Sequence, residues 1–165
     1  MIGIEVRPIR IEDAPAFREA LQSVADERRY ILTLQAPPLE KTVAFVSEVI
    51  EKGYPQVVAL DGDKFVGWAD LIPPEKESLR HAASLGMGVV KEYRGQGVGD
   101  ALLTAVTGAA LAFGFSRLEL EVFSNNSAAI GLYEKHGFEV EGVKRKARFI
   151  DGEYYDIQVM AKLVE

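Results

Sequence analysis

Arg94-Gly95-Gln96-Gly97-Val98-Gly99 sets three glycines at alternate positions, directly ahead of an apolar run with helical spacing. Backbone without Cβ atoms can turn tightly there and approach a ligand closely. The first N–H groups of the following helix, at the positive end of its dipole, suit phosphate, and Arg94 can add a charge-assisted contact. The chemistry indicated is a pyrophosphate cradle. Two rival phosphate loops fail on spacing. A Walker loop needs Lys and Ser/Thr after its last glycine, but Gly99 is followed by Asp100-Ala101. A G-x-G-x-x-G fingerprint counted from Gly95 and Gly97 requires glycine where Asp100 stands. It would also follow the first strand of the chain, which this loop does not.

A second segment, Asn126-Ser127-Ala128-Ala129-Ile130-Gly131-Leu132-Tyr133, puts Asn126 and Tyr133 seven positions apart, on nearly one face of a helix. The elements that must position both segments follow from periodicity and punctuation. Strands are predicted at Glu5–Ile9, Gln56–Leu60, Lys64–Ile72, Ala83–Val90, Arg117–Phe123, Phe138–Gly142 and Tyr154–Leu163. Helices are predicted at Asp13–Tyr30, with Asp13 as N-cap and Pro15 in the first turn, and at Leu39–Lys52, closed by Gly53. Further helices are predicted at Gly97–Phe113 and Ser127–His136, the last capped by Gly137. Asp61-Gly62-Asp63 makes a hairpin turn. The order βααβββαβαββ describes a mixed α/β sheet in a single domain, residues 1–165.

Composition bounds the function. With 48% apolar and 27% charged residues over 165 positions, the chain can bury its own core without staples. It has no cysteine, which excludes disulfides, cysteine metal sites and an acyl-cysteine nucleophile. A net charge of −6 argues against nucleic-acid binding, which needs a basic footprint. There is no leader pattern at Met1-Ile2-Gly3 and no apolar stretch long enough to span a bilayer, so a cytoplasmic protein without membrane contact is expected.

The two segments together resemble the GNAT acetyltransferase family. Its coenzyme motif R/Q-x-x-G-x-G/A is met by Arg94, Gly97 and Gly99, and its N-x-x-A-x-x-L-Y-x-x-x-G-F signature by Asn126, Ala129, Leu132, Tyr133, Gly137 and Phe138. Leu85 to Val90 resembles the family's fourth strand. The resemblance implies a mixed, mostly antiparallel sheet of about six to seven strands flanked by about four helices. It implies acetyl-CoA as co-substrate, bound by Met87, Gly88, Val89, Val90, Arg94, Gly95, Gln96, Gly97, Val98, Gly99, Asn126 and Tyr133, and no metal. A backbone N–H near Gly88 or Val89 would polarise the thioester carbonyl. Tyr133 occupies the position of the family's general acid, a phenol of pKa near ~10 facing a thiolate near ~8.5. With no nucleophile elbow, the acceptor amine attacks directly.

The proton acceptor for that amine is left among Glu27, Asp70, His81 and Glu121, with Glu27 favoured because it lies with Tyr30 after the first helix, on the acceptor side of such a fold. Glu27, Tyr30, Asp70 and His81 are the expected acceptor contacts. His136 is read as structural, at a helix C-terminus. Lys144-Arg145-Lys146-Ala147-Arg148 reads as a solvated loop edge, or as a contact to coenzyme phosphates or to an anionic group on the acceptor. Asp151 to Asp156 and Val159-Met160-Ala161 resemble GNAT branches acting on amino acids, phosphinothricin-like compounds or protein N-termini. The expected partners are a small-molecule or peptide amine and a second copy in a homodimer. The alternative on the same fold is a noncatalytic acyl-CoA sensor.

Overall fold

Apolar runs such as Val57-Val58-Ala59-Leu60, without polar alternation, require a strand covered on both faces. The computed structural model, which describes residues 3–164, supplies both covers. The elements are β1 (Ile4–Pro8), α1 (Ala14–Asp26), α2 (Leu39–Lys52), β2 (Gln56–Asp61), β3 (Lys64–Ile72) and β4 (Ala82–Val89), then α3 (Val98–Phe113), β5 (Arg117–Phe123), α4 (Ser127–Lys135), β6 (Glu139–Ile150) and β7 (Glu153–Leu163). The sheet order is β1-β2-β3-β4-β5-β7-β6. Every neighbouring pair is antiparallel except β4–β5. This is the mixed, mostly antiparallel sheet with four helices that the sequence led us to expect.

The strand register fixes which helix covers which face. Trp68, on one face of β3, meets Phe17 of α1 edge-on with ring centroids 5.7 Å apart. The opposite face takes α3, whose Leu102, Leu103, Val106 and Ala110 are fully buried. The core therefore has two layers, with β2, β3 and β4 between them.

Three local expectations are corrected. α1 stops at Asp26 and does not reach Tyr30, because Arg28 turns into the left-handed region at φ 57°. No Gly or Pro marks that stop, and a non-glycine residue there costs about 1 kcal/mol. The Arg28 Nε–Asp151 Oδ2 ion pair, at 2.8 Å, holds the turn against the β6–β7 hairpin. Next, β6 extends to Ile150, so the basic run is strand and not loop. As the edge strand it carries its charges into solvent, which hides the apolar alternation that would have announced it. Its register shifts between Lys144 and Arg148, where Lys146 has φ 50°. Finally, Asp13 does not cap α1 with its side chain.

The Asp13 carboxylate instead takes both Arg7 guanidinium nitrogens, at 2.8 and 2.9 Å, and the Arg10 N–H at 2.7 Å. Burial opposes its ionisation, but Arg7 and the Arg10 N–H outweigh that and hold it below the usual carboxylate range. The stabilisation is present above the unfolded carboxylate pKa of about 4 and is lost as pH falls through the lower folded value. Asp13→Asn should cost about 3 kcal/mol at pH 7, since Arg7 is left mostly buried without its counter-charge. Urea unfolding across pH checks it: the deficit should shrink as the pH is lowered.

Candidate active site

The site begins where two strands stop pairing. β4 and β5 are in parallel register only from Ala82–Arg117 to Ser84–Glu119. Beyond that β4 continues beside β3, and β5 beside β7, leaving a wedge between them. The Val90 N–H donates to the Val66 carbonyl at 2.9 Å. By antiparallel alternation, the N–H and C=O groups of Ser84, Gly86 and Gly88 also point toward β3. Those of Leu85, Met87 and Val89 therefore point into the wedge. Arg94 Nε reaches the Val89 carbonyl there, at 3.0 Å.

Two clefts meet at this wedge. The first, of about 340 Å³, runs from Met87–Val89 over Gly95, Gly97 and Gly99 to Asn126 and Tyr133. Gly97, at φ 85°, is the N-cap of α3, and its left-handed backbone admits no other residue without strain. Among the described residues, no protein acceptor takes the N–H groups of Gly95 through Gly99. They are available to phosphate. The Asn126 side chain caps α4 by accepting the Ala129 N–H at 3.2 Å, which leaves its own NH₂ to donate. Asp100, in the first turn of α3, would repel an anion, but Lys135 Nζ and His136 Nε2 each lie 2.9 Å from its Oδ1. Those two contacts hold its carboxyl below the usual range. Val90 and Gln96 do not line this cleft. Val90 is buried toward β3, and the exposed Gln96 side chain donates to the Glu92 carbonyl.

Arg94 and Glu27, expected to serve phosphate and amine separately, engage each other. Arg94 Nη1 and Nη2 donate to the two Glu27 oxygens at 2.8 and 2.5 Å, and the guanidinium lies 4.1 Å from the centre of the Tyr30 ring. The Arg94 hydrogen bond, opposed by burial, holds Glu27 below the ordinary carboxylate range. A carboxylate so held is a poor proton acceptor. Sixty-seven positions separate the partners, and no local pattern announces the pair.

The second cleft, of about 510 Å³, lies on the α1 side of the wedge. Leu21, Trp68, Val122, Phe123 and Val159 make apolar walls, while Thr33, Ser84, Glu119, Glu121 and Lys144 bring polar groups. Ile31 and Leu32 complete its lining. Leu32 and Leu34 are anchored on a small cluster of Phe123, Ile150 and Ile157. Glu121 is paired with Lys144 Nζ at 2.6 Å, and Glu119 with Arg117 Nε at 2.9 Å. Lys144 belongs to the basic run; the wall residues carry no sequence signal beyond being apolar. Tyr30, Ile31, Met87 and Tyr133 line both clefts. Burial pushes the Tyr133 phenol up to about 12, so it stays protonated throughout the neutral range. Asp70 lines neither cleft itself but stands opposite Gly86 in the register, directly beside the stretch of β4 that does. His81 is exposed at the far end of β4, about 20 Å along the strand from Met87. No group of three or more metal-ligating side chains occurs among the described residues.

A family model described as the acetyltransferase (GNAT) family matches residues 17–138. The L-amino acid N-acetyltransferase AaaT of Escherichia coli is 32% identical over 165 residues, covering 99% of both chains. A GNAT-family acetyltransferase structure from Streptococcus pneumoniae superposes with a TM-score of 0.91 at 27% identity, over 98% of this chain and 99% of that one. A phosphinothricin acetyltransferase from Sinorhizobium meliloti, solved with acetyl-CoA, has the same fold at a TM-score of 0.92 and 23% identity, over 99% of this chain and 89% of that one. The glycine cradle, the splayed strands and these matches lead to one conclusion: the chain belongs to the GNAT family of N-acetyltransferases.

Proposed function

We propose that this enzyme moves the acetyl group of acetyl-CoA to the primary amine of a free amino acid or close analogue, by direct attack. The observation that carries the reading is the junction: one cleft with unclaimed backbone N–H groups and one cleft with mostly apolar walls meet at Met87 and Tyr133. In this reading the pyrophosphate of acetyl-CoA rests on the N–H groups of Gly95 to Gly99. The pantetheine arm lies along the free edge of β4. An N–H of Leu85, Met87 or Val89 stabilises the oxyanion formed when the amine nitrogen bonds to the thioester carbon. Collapse of that intermediate breaks the C–S bond, and the Tyr133 hydroxyl faces the departing thiolate. Arg94 and Glu27 act as positioning residues, tying the end of β4 to the loop that carries Tyr30.

A free amino acid is favoured because the second cleft, of about 510 Å³, sets one cationic side chain, Lys144, beside apolar walls. Glu121 holds two cations, Lys144 at 2.6 Å and Arg148 at 3.5 Å, so in this reading Lys144 turns to the substrate carboxylate while Arg148 keeps Glu121 paired, and the apolar walls suit an uncharged side chain. The names of the amino-acid and phosphinothricin acetyltransferase relatives agree with this class. A thiol-release assay with acetyl-CoA against free amino acids, their amides, phosphinothricin, polyamines and N-terminal peptides tests it. Turnover should be highest with free amino acids bearing apolar side chains and fall when the carboxylate is amidated. Turnover confined to peptides or polyamines overturns it.

A further inference from the structure

The reaction needs an acceptor for the ammonium proton, and the paired carboxylates Glu27, Glu119 and Glu121 are each engaged by a cation. Asp70 is not. Its carboxylate makes no hydrogen bond or ion pair to any described residue. Its oxygen Oδ1 lies 3.1 Å from where a Cβ on Gly86 would sit. It therefore rests on a bare stretch of β4 whose outer surface forms the acceptor cleft. Its neighbours on the same sheet face, Trp68, Ser84 and Gly86, all line that cleft. On its other side the register sets Gln56 directly opposite. Gln56 is 3% exposed, and neither its Oε1 nor its Nε2 has a partner. An unpaired buried amide beside an unpaired carboxyl is costly for a fold that gains nothing from it. Such groups offer solvent the two to four polar partners that hold an internal water in place.

We propose that Asp70 takes the proton of the acceptor ammonium, relayed by solvent past Ser84 and Gly86 from the cleft that those two residues line. The proton leaves the ammonium nitrogen, one water passes it on, and the carboxylate becomes a carboxylic acid. The freed amine then forms the C–N bond while the C–S bond breaks. The second nitrogen proton passes to the thiolate and gives the free thiol of CoA, and Asp70 returns its own proton to bulk solvent. The assignment rests on the acetyl-transfer reading above and deepens it.

The electrostatics agree. Burial alone pushes the Asp70 carboxyl up to about 7, where a proton acceptor is half ionised at working pH. The groups facing it from β2 and β4 are Gln56, Ser84, Gly86 and Gly88, all uncharged. α1 turns Phe17, Ala20 and Val24 inward; its Arg18 is bound to the Pro37 carbonyl, and Glu19 and Asp26 are exposed. Across the wedge, the charges of Glu119 and Glu121 are matched by Arg117, Lys144 and Arg148.

The test is the pH–rate profile of wild type, Asp70→Asn and Asp70→Glu with a free amino acid acceptor, alongside acetyl-CoA affinity by calorimetry. Asp70→Asn should lower kcat about 100-fold at pH 7, with acetyl-CoA affinity unchanged. The deficit should shrink as pH rises toward the amine's own pKa, and Asp70→Glu should recover part of the rate. Asp70→Asn should also remove a destabilisation. A carboxyl raised above its unfolded pKa binds more protons when folded, so wild-type stability falls as pH rises from about 4 to about 7. A variant that loses this slope in urea unfolding but keeps the wild-type rate profile overturns the proposal and leaves a structural role only. A uniform rate loss at every pH overturns it as well. If the wild type transfers acetyl to no amine, the functional reading itself falls.

Discussion

Gly88→Ala is expected to cost about 3 kcal/mol of stability, as overpacking of a dense core does, and to abolish tight acetyl-CoA binding. A Cβ at Gly88 would lie 2.3 Å from Trp68 Cη2, with two further ring atoms at 2.7 and 2.9 Å. Real contacts of this kind do not form, so either the indole or β4 must move. The indole has little freedom: Trp68 is 3% exposed and packed against Phe17 of α1. β4 is then the element that yields, and it yields at the stretch whose backbone faces the wedge. Denaturant unfolding and calorimetric acetyl-CoA titration read the two effects. Coupling to Trp68 is checked by a double-mutant cycle with Trp68→Leu, in which the two changes together should cost less than their sum. Additive losses would place the damage elsewhere on β4.

The second large effect is expected from Tyr133→Phe. An isolated phenol near ~10 could hand its proton to a thiolate near ~8.5 at modest cost. At about 12 the transfer is unfavourable by more than a thousandfold, so the buried hydroxyl serves better as a hydrogen-bond donor to the developing sulfur anion. A hydrogen bond to a charged partner contributes about 1.5–3 kcal/mol. The variant should therefore lose roughly 10- to 100-fold in kcat, with little change in acceptor KM and no change in the shape of the pH–rate profile. Disappearance of an alkaline limb in the variant would instead mark Tyr133 as an acid that gives up its proton. The edge-on ring contact with Phe138, at 6.0 Å, survives the change, so stability should move little.

Element order and sheet composition were legible because they depend on local periodicity. Leu118, Leu120 and Val122 alternating with Glu119 and Glu121 can form only a half-charged strand, and α3 is apolar enough to have no other fate. What escaped the sequence is non-local or sterically unmarked. Arg28 ends α1 without glycine, and its ion-pair partner at that turn, Asp151, lies far along the chain. The wedge between β4 and β5 is a failure of pairing that the family resemblance implies, although nothing in either strand's composition records it. The cradle motif drew attention to Arg94 for its charge, yet that charge is shared with Glu27, and the phosphate-facing donors are backbone groups. Asp70 stood among four carboxylate and imidazole candidates. Only the register, which sets it against Gln56 and Gly86, separates it from the rest.

The outer strand β6 bears on how the protein behaves in a crowded solution. An open sheet margin is a template on which further chains can add their own strands without limit. Here that margin is interrupted twice, after Val140 and again after Lys144, so no long stretch presents evenly spaced donors and acceptors. Lys144, Arg145, Lys146 and Arg148 crowd the same margin with like charge. Growth by strand addition is thereby discouraged along β6, and because Lys144 of that strand also lines the acceptor cleft, one margin both guards the sheet and furnishes the site.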